Sequence, residues 1–347
     1  HQCLRDQLPG ARFLTDSDNE VALALLEDGD PLALSALNGM FAFVVAGEDG
    51  SFVAARDPVG IKPLYWARRD GVARFASELH AFDADWQAEV EPFPPGFAWT
   101  PQGGLVRFAE AVPSSRPSPP PADDILSGTR EVLIDSVRRQ LMGDVPVGVF
   151  LSGGLDSSLI AAIAARVLAE RGERLQTFAV GTPGSPDAVA ARVVADHIGS
   201  DHHETNYSAL QAIAALPTVV RSIESFDPGL VRSAVPNYFL ARYTARHVKV
   251  VLTGEGADEL FAGYDYMREF PDPEALHHEL VRTVRGLHNL NLQRCDRVTM
   301  AHGLEARVPF LDREVIDWAL ALPPQVKLFG AGTPEKKLLR EAFAGWP

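Results

Sequence analysis

The sequence predicts two successive fold classes, a mostly antiparallel β portion and then a parallel α/β portion. Three observations carry this. Up to about Phe108, short apolar runs are parted by tight turns; from Val112 to Asp124 the segment VPSSRPSPPPADD is too rich in proline for a helix or a strand. Beyond it, helical stretches alternate with single apolar runs. The expected division is residues 1–111, a linker at 112–123, and a second domain at 124–347.

In the first portion, TDSDNEVALALLEDGD offers Asp18 or a neighbour as the cap of a helix whose Val21, Leu23, Leu25 and Leu26 face inward. MFAFVVAG (40–47) and SFVAARD (51–57), parted by Glu48, Asp49 and Gly50, read as a hairpin. PLYWARR and VARFASE, parted at Asp70-Gly71, read as a second. In the second portion an amphipathic helix over 124–142 leads into VPVGVFL, an apolar run bounded by glycine and so a buried strand. SLIAAIAARVL (158–168) is the helix that follows, free of glycine and proline.

Strands are then expected at 175–181, 202–207 and 248–254, with helices at 186–198, ended by Gly199, and at 233–247. Ligands of open α/β sheets bind at the carboxyl ends of strands, so the loops after Leu151, Val180 and Thr253 can converge on one site. From Pro273 onward the composition is helical. GLEARVPFLD reads as scaffold behind that site, with Glu305 and Arg307 flanking a turn into Val308-Pro309. The adjacent His202 and His203 point to opposite faces of a strand and are assigned no metal site.

Composition narrows the function. A net charge of −14 argues against a nucleic-acid partner, which needs clustered Lys and Arg. No apolar stretch approaches the roughly 18 residues of a membrane span, and no signal peptide is visible. Cys3 and Cys295 are unclustered, so a reducing cytoplasm is the expected setting. In so acidic a chain a polyphosphate must be held by local donors and divalent metal, because the overall field repels it.

The chemistry concentrates in VPVGVFLSGGLDSS: strand, Gly-rich turn, helix. Free backbone N–H groups at a helix start make a phosphate site. The string is neither GxxxxGK[ST] nor GxGxxG. It resembles the pyrophosphate loop of the ATP pyrophosphatases, in which Ser152, Gly153, Gly154, Asp156, Ser157 and Ser158 would cradle the outer two phosphates of ATP. The second loop, GEGADE, brings Glu255, Asp258 and Glu259 to another strand-to-helix turn. Carboxylates beside phosphates repel them unless Mg²⁺ takes oxygens from both, so Asp258 is read as a metal ligand and Glu255 as catalytic or positioning. Helix-dipole placement is the alternative for Asp258 and Glu259.

Taken with NGMFAFVV, ARDPVGIKPLYW, FASELHA, TFAVG, GSPD, HHE, LTGEGADELFAGY, GLEARVPFLD and EKKLLRE, the chain resembles asparagine synthetase of the glutamine-hydrolysing type over nearly its whole length. The resemblance implies a partial N-terminal-nucleophile (αββα) glutaminase-like domain followed by an ATP-pyrophosphatase, adenine nucleotide α-hydrolase-like, parallel α/β domain. It further implies amidation of aspartate through a β-aspartyl adenylate, with ATP and Mg²⁺, releasing AMP and pyrophosphate. The nitrogen would come from glutamine or ammonia, and a homodimer is a candidate assembly.

Position by position, the resemblance places Mg²⁺ on Asp156 and Asp258 and the ammonium of Lys336 at the phosphates. Leu151, Val180, Thr253 and Gly254 would meet the adenosine part, and Glu255 would support intermediate formation or amination. Arg232, in VRSAVP, is the candidate for a substrate carboxylate or a phosphate, since a guanidinium fork suits either; a surface salt bridge is the alternative. Lys336 could instead be a solvated helix charge beside Lys337.

Departures lie at the ends. No cysteine matches the family's N-terminal nucleophile, and Cys3 does not take that place; only Asp18 matches a glutamine-binding position. Without the opening strands of that domain, MFAFVV is expected to lack sheet partners. The sequence therefore reads as a portion of a longer protein that binds no glutamine productively as written. Two alternatives stay open: another carboxylate-adenylating ligase similar to β-lactam synthetases or peptide cyclases, and a non-catalytic nucleotide-binding relative.

Overall fold

The computed structural model describes residues 2–8, 10–48, 50–330 and 332–346, with only the backbone of Gln2 and Cys3. The side chain of Cys3, Asp49 of the first expected hairpin, and the last residue, Pro347, lie outside the described residues. Contacts divide the chain into two units, His1–Ala111 and Val112–Pro347.

The first unit contains α1 (Gln2–Gln7), α2 (Asn19–Leu25), β1 (Ala42–Ala46), β2 (Phe52–Arg56), β3 (Tyr65–Arg69), β4 (Val72–Ala76), β5 (Glu91–Pro92), β6 (Phe97–Thr100) and β7 (Gly104–Arg107). Both hairpins form: β1 pairs antiparallel with β2, and β3 with β4. At the second turn Asp70 and Gly71 have φ of 52° and 79°, the left-handed pair that matches strand twist. The strands make a sheet in the order β1-β2-β6-β7 and another in the order β4-β3-β5.

Side-chain alternation explains the layering. Ala55 and Ala98 face Leu34 of the 3-10 turn Pro31–Ala36, while Ala54 faces Trp66 of the second sheet and Leu64 and Phe93 beside its strands. Helical segments, sheet and sheet thus stack as a partial αββα arrangement. Behind the second hairpin, Arg56 donates to the carbonyls of Gly60, Lys62 and Phe93, and Asp57 accepts from the N–H groups of Ile61 and Lys62. The ARDPVGIK string is therefore a buried turn staple. β1 does have a partner, β2, though among the described residues on one side only, and Val44 is left exposed.

Around α2 the expectations hold in part. Val21 is buried and Leu26 packs half-buried against the core cluster that holds Leu34, with Leu25 half-buried too, whereas Leu23 is 51% exposed. Asp18 makes no side-chain cap; Ser17 Oγ accepts from the Asn19 N–H, and the Glu20 carboxylate accepts from Leu14 and Thr15.

The second unit runs α3 (Ile125–Gln140), β8 (Val147–Phe150), α4 (Leu155–Ala169), β9 (Gln176–Gly181), α5 (Pro186–Ile198), β10 (Asp201–Asn206), α6 (Ala209–Ile223), α7 (Pro228–Thr244), β11 (Val250–Leu252), α8 (Ala257–Phe261), α9 (Pro273–Gly286), α10 (Asn291–Met300), β12 (Glu305–Arg307), α11 (Arg313–Ala321) and α12 (Lys337–Ala342). Five parallel strands lie in the order β10-β9-β8-β11-β12. Chain progression reverses between β8 and β11, which opens a crevice at their carboxyl ends.

Two elements exceed the sequence reading. The GLEARVPFLD segment contributes the edge strand β12, with Val250 opposite Glu305, where a turn was expected. The helix α6 carries Pro217 and opens with a reciprocal capping box between Ser208 and Gln211. The proline-rich segment is pinned rather than loose at one point, where Arg116 meets Glu274 of α9 in a two-bonded pair. His202 and His203 do take opposite faces: His202 bonds Thr177 and Glu204, and His203 stacks on Phe178.

One buried charge constrains stability. Lys327 is 4% exposed, donates to the Ala319 carbonyl, and has its pKa pushed down to about 7 by burial and then by the charge of Arg116. Between pH 7 and about 10 the unfolded chain binds a proton here that the folded chain does not, so stability should rise with pH across that window. Lys327→Met should flatten the rise by about 1 kcal/mol per pH unit, read from denaturant midpoints at pH 7 and 9. Parallel slopes for the two proteins would contradict it.

Candidate active site

The loop after β8 is shaped by two glycines. Gly153 has φ +81°, and a Cβ there would come within 2.5 Å of Ala190 of α5, so the turn requires glycine twice over. Gly154 caps α4, and its N–H donates to Ser152 Oγ at 3.3 Å. Ser157 Oγ accepts from the Ser152 N–H and meets Ser152 Oγ at 3.0 Å. The hydroxyls thus hold the loop closed on itself, ahead of any ligand.

The loop after β11 approaches it closely. A Cβ on Gly254 would lie 2.9 Å from Asp156 Cβ, so this glycine lets the two loops touch. Gly256, φ +97°, turns the chain into α8 and sets Asp258 and Glu259 in its first turn. From α12 comes Lys336, itself at φ +52°, whose Nζ is 2.5 Å from Asp156 Oδ2 and 2.6 Å from Asp258 Oδ1. Burial pushes the Asp156 carboxyl up, opposed by the Lys336 charge. Burial alone would lower the Lys336 ammonium, but the charges of Asp156 and Asp258 outweigh it and raise it. Asp156 Oδ1 remains buried without a hydrogen-bond partner.

These residues open on a cavity of about 540 Å³. Of the predicted residues, Leu151, Ser152, Gly154, Asp156, Ser157, Val180, Thr253, Gly254, Glu255 and Asp258 line it. Gly153 and Ser158 stand behind the lining, Ser158 Oγ buried and unpartnered. Lys336 is 7% exposed and reaches the site through the two aspartates. Arg232 is exposed on α7 and outside the lining, whereas its neighbour Ser233 faces inward to Arg294. Asp18 lies in the first unit, exposed at the start of α2.

Sequence reading missed the wall contributed by α10. Arg294 forms an ion pair with Glu255 and donates to Ser233 Oγ at 3.2 Å, while its Nε is buried unpartnered. Tyr264 donates to Glu259, which is 2% exposed and also accepts from Asn291 at 3.1 Å. Burial raises the Glu259 carboxyl and the Tyr264 hydroxyl alike. No local motif marks Arg294 or Asn291; tertiary packing alone brings α10 to the loops. Among the described residues no group of three or more His, Cys, Asp or Glu side chains could hold a metal. Two aspartates match a Mg²⁺ that takes its remaining ligands from phosphate and water.

With this geometry in place, comparison with known proteins is decisive. The profile of the family described as "Asparagine synthase" matches residues 128–272 and 265–347, and that of a "Glutamine amidotransferase domain" matches residues 1–84. The chain belongs to the asparagine synthase family. Asparagine synthetase [glutamine-hydrolyzing] 3 of Arabidopsis thaliana is 41% identical over 362 residues, covering 99% of this chain and 61% of that protein. The asparagine synthetase of Asparagus officinalis is 40% identical, with 99% and 60% covered. A probable asparagine synthetase of Schizosaccharomyces pombe is 41% identical, with 99% and 65% covered. The chain spans about 60% of the length of the first two of these curated relatives. No helix among the described residues is long and apolar enough to cross a membrane.

The family loop is tightly fitted, so Gly153→Ala should lower stability by about 1–3 kcal/mol, through left-handed strain and the clash with Ala190. Chemical denaturation checks this; an unchanged midpoint would mean the loop is freely adjustable.

Proposed function

We propose that the second unit converts aspartate to asparagine, using ATP to activate the side-chain carboxylate at the α-phosphorus and releasing AMP and pyrophosphate. Ammonia completes the amide, supplied by glutamine in the full-length protein or taken free from solution, and the setting is cytoplasmic. The observation that carries this reading is the meeting of Asp156, Asp258 and Lys336 at the Gly-rich loop, on one cavity of about 540 Å³. Membership of the asparagine synthase family supports it.

The residues divide the work. A carboxylate oxygen is a poor leaving group until it is bonded to phosphorus; here the attack is at the α-phosphorus, and the outer two phosphates are held as the group that departs. The turn Ser152, Gly153, Gly154, Ser157 and Ser158 offers backbone N–H groups and a helix start to those phosphates. Lys336 supplies a cation that follows the charge as it moves onto pyrophosphate. Leu151, Val180, Thr253 and Gly254 line the cavity and would meet the adenosine part.

Mg²⁺, when bound by Asp156 and Asp258, supplies charge neutralisation for the phosphates. The unpartnered Asp156 Oδ1 and the oxygen-only donor set fit it. Glu255, held by Arg294, faces the cavity where the attacking ammonia must shed a proton. The substrate carboxylate considered for Arg232 is more directly met by Arg294, which lines the cavity. In the first unit, Asp18 is the position proposed to contact glutamine.

Purified protein given ATP, Mg²⁺, aspartate and ammonium should yield asparagine, AMP and pyrophosphate, resolved by mass spectrometry; ADP in place of AMP would contradict the mechanism. Asp156→Asn should lower pyrophosphate release at least about 100-fold with the circular dichroism spectrum unchanged, since it removes a charge both Lys336 and Mg²⁺ need. Release at the wild-type rate would dismiss its assignment.

A further inference from the structure

We propose that Lys336 is the resting counter-ion of the metal position: its ammonium stands between Asp156 and Asp258 and excludes a divalent cation until a polyphosphate draws it away. The inference rests on the reading of those two aspartates as the metal-holding carboxylates. It concerns how the site behaves before the reaction begins.

Four observations carry it. The ammonium lies 2.5 Å from one carboxylate and 2.6 Å from the other, so it fills the bridging position from which a single cation could serve both. It is enclosed, at 7% exposed, on a residue whose left-handed φ of +52° fixes where the side chain starts. Its surroundings are tight as well: a Cβ on Gly263 would run into both Asp258 Oδ1 and Lys336 Cε. Meanwhile Asp156 Oδ1 has no partner, so the ammonium satisfies one oxygen of that carboxylate and leaves the other vacant.

Charge decides the consequence. Two carboxylates and one ammonium sum to −1; the neighbouring Glu255 and Arg294 cancel each other. A dication arriving alone would either face the ammonium at close range or displace it into an enclosed space without an anion, and both are unfavourable. A triphosphate removes the conflict by offering the ammonium oxygens of its own, leaving the carboxylates to the metal. Metal and nucleotide should then bind with strong mutual reinforcement, and by linkage each should tighten the other equally.

The test measures Mn²⁺ binding to the protein by electron paramagnetic resonance of the free ion, with and without α,β-methylene-ATP, whose bridging carbon blocks cleavage. Wild type is expected to bind Mn²⁺ at least tenfold more weakly without the analogue than with it. Lys336→Met should bind Mn²⁺ alone at least tenfold more tightly than wild type, and Asp258→Asn added to that variant should abolish the gain. Mn²⁺ taken up by the analogue alone is subtracted with a protein-free control, and should Lys336→Met fail to fold, Lys336→Gln is measured in its place; equal Mn²⁺ affinity of wild type with and without the analogue overturns the inference. Equal affinity of wild type and Lys336→Met for Mn²⁺ alone also overturns it, while leaving the metal reading intact. No Mn²⁺ uptake in any combination overturns both.

Discussion

The bridge from Lys336 to Asp156 and Asp258 is the contact on which the second unit turns. Its members are 180 residues apart in one case, and they arrive from the starts of three different helices, α4, α8 and α12. Each element is bent to meet the others: Gly153 and Gly256 take positive φ, Gly254 allows the loops to touch, and Gly263 leaves room for the lysine stem. Removing Lys336 would leave two carboxylates side by side without the cation they share. The sequence spends its glycines where the two loops and the lysine converge.

That convergence follows from topology. With β8 placed between β9 and β11, the two Gly-rich loops emerge side by side at the reversal point of the sheet. The glycine at Gly148 lets the Phe178 ring of the neighbouring strand pack across β8, and Phe178 joins Val251 and Leu240 in the core beneath the site. The loops rest on a packed layer.

Much of this was legible in the residues. Apolar runs bounded by glycine located β8, β9 and β11, and Gly199, at φ +67°, ended α5 as its position suggested. Asp70-Gly71 announced a hairpin because only certain residues tolerate that turn. Other features depended on partners distant in sequence. β12 is three residues long and is a strand only because β11 lies beside it. Leu23 belongs to an apolar pattern but is 51% exposed, since pattern reports a face and not what covers it. Arg232 has the chemistry for a carboxylate yet points to solvent, while Arg294, in a stretch with no motif, is the guanidinium paired with Glu255.

The central claim is that the aspartate carboxylate attacks the α-phosphorus at the cradle formed by the loop after β8. The most direct measurement is the fate of oxygen from aspartate labelled with ¹⁸O in its side-chain carboxylate, followed by mass spectrometry of the products. The account predicts one ¹⁸O in AMP and one retained in the amide carbonyl of asparagine. Unlabelled AMP, or label in a phosphate released with ADP, would contradict it.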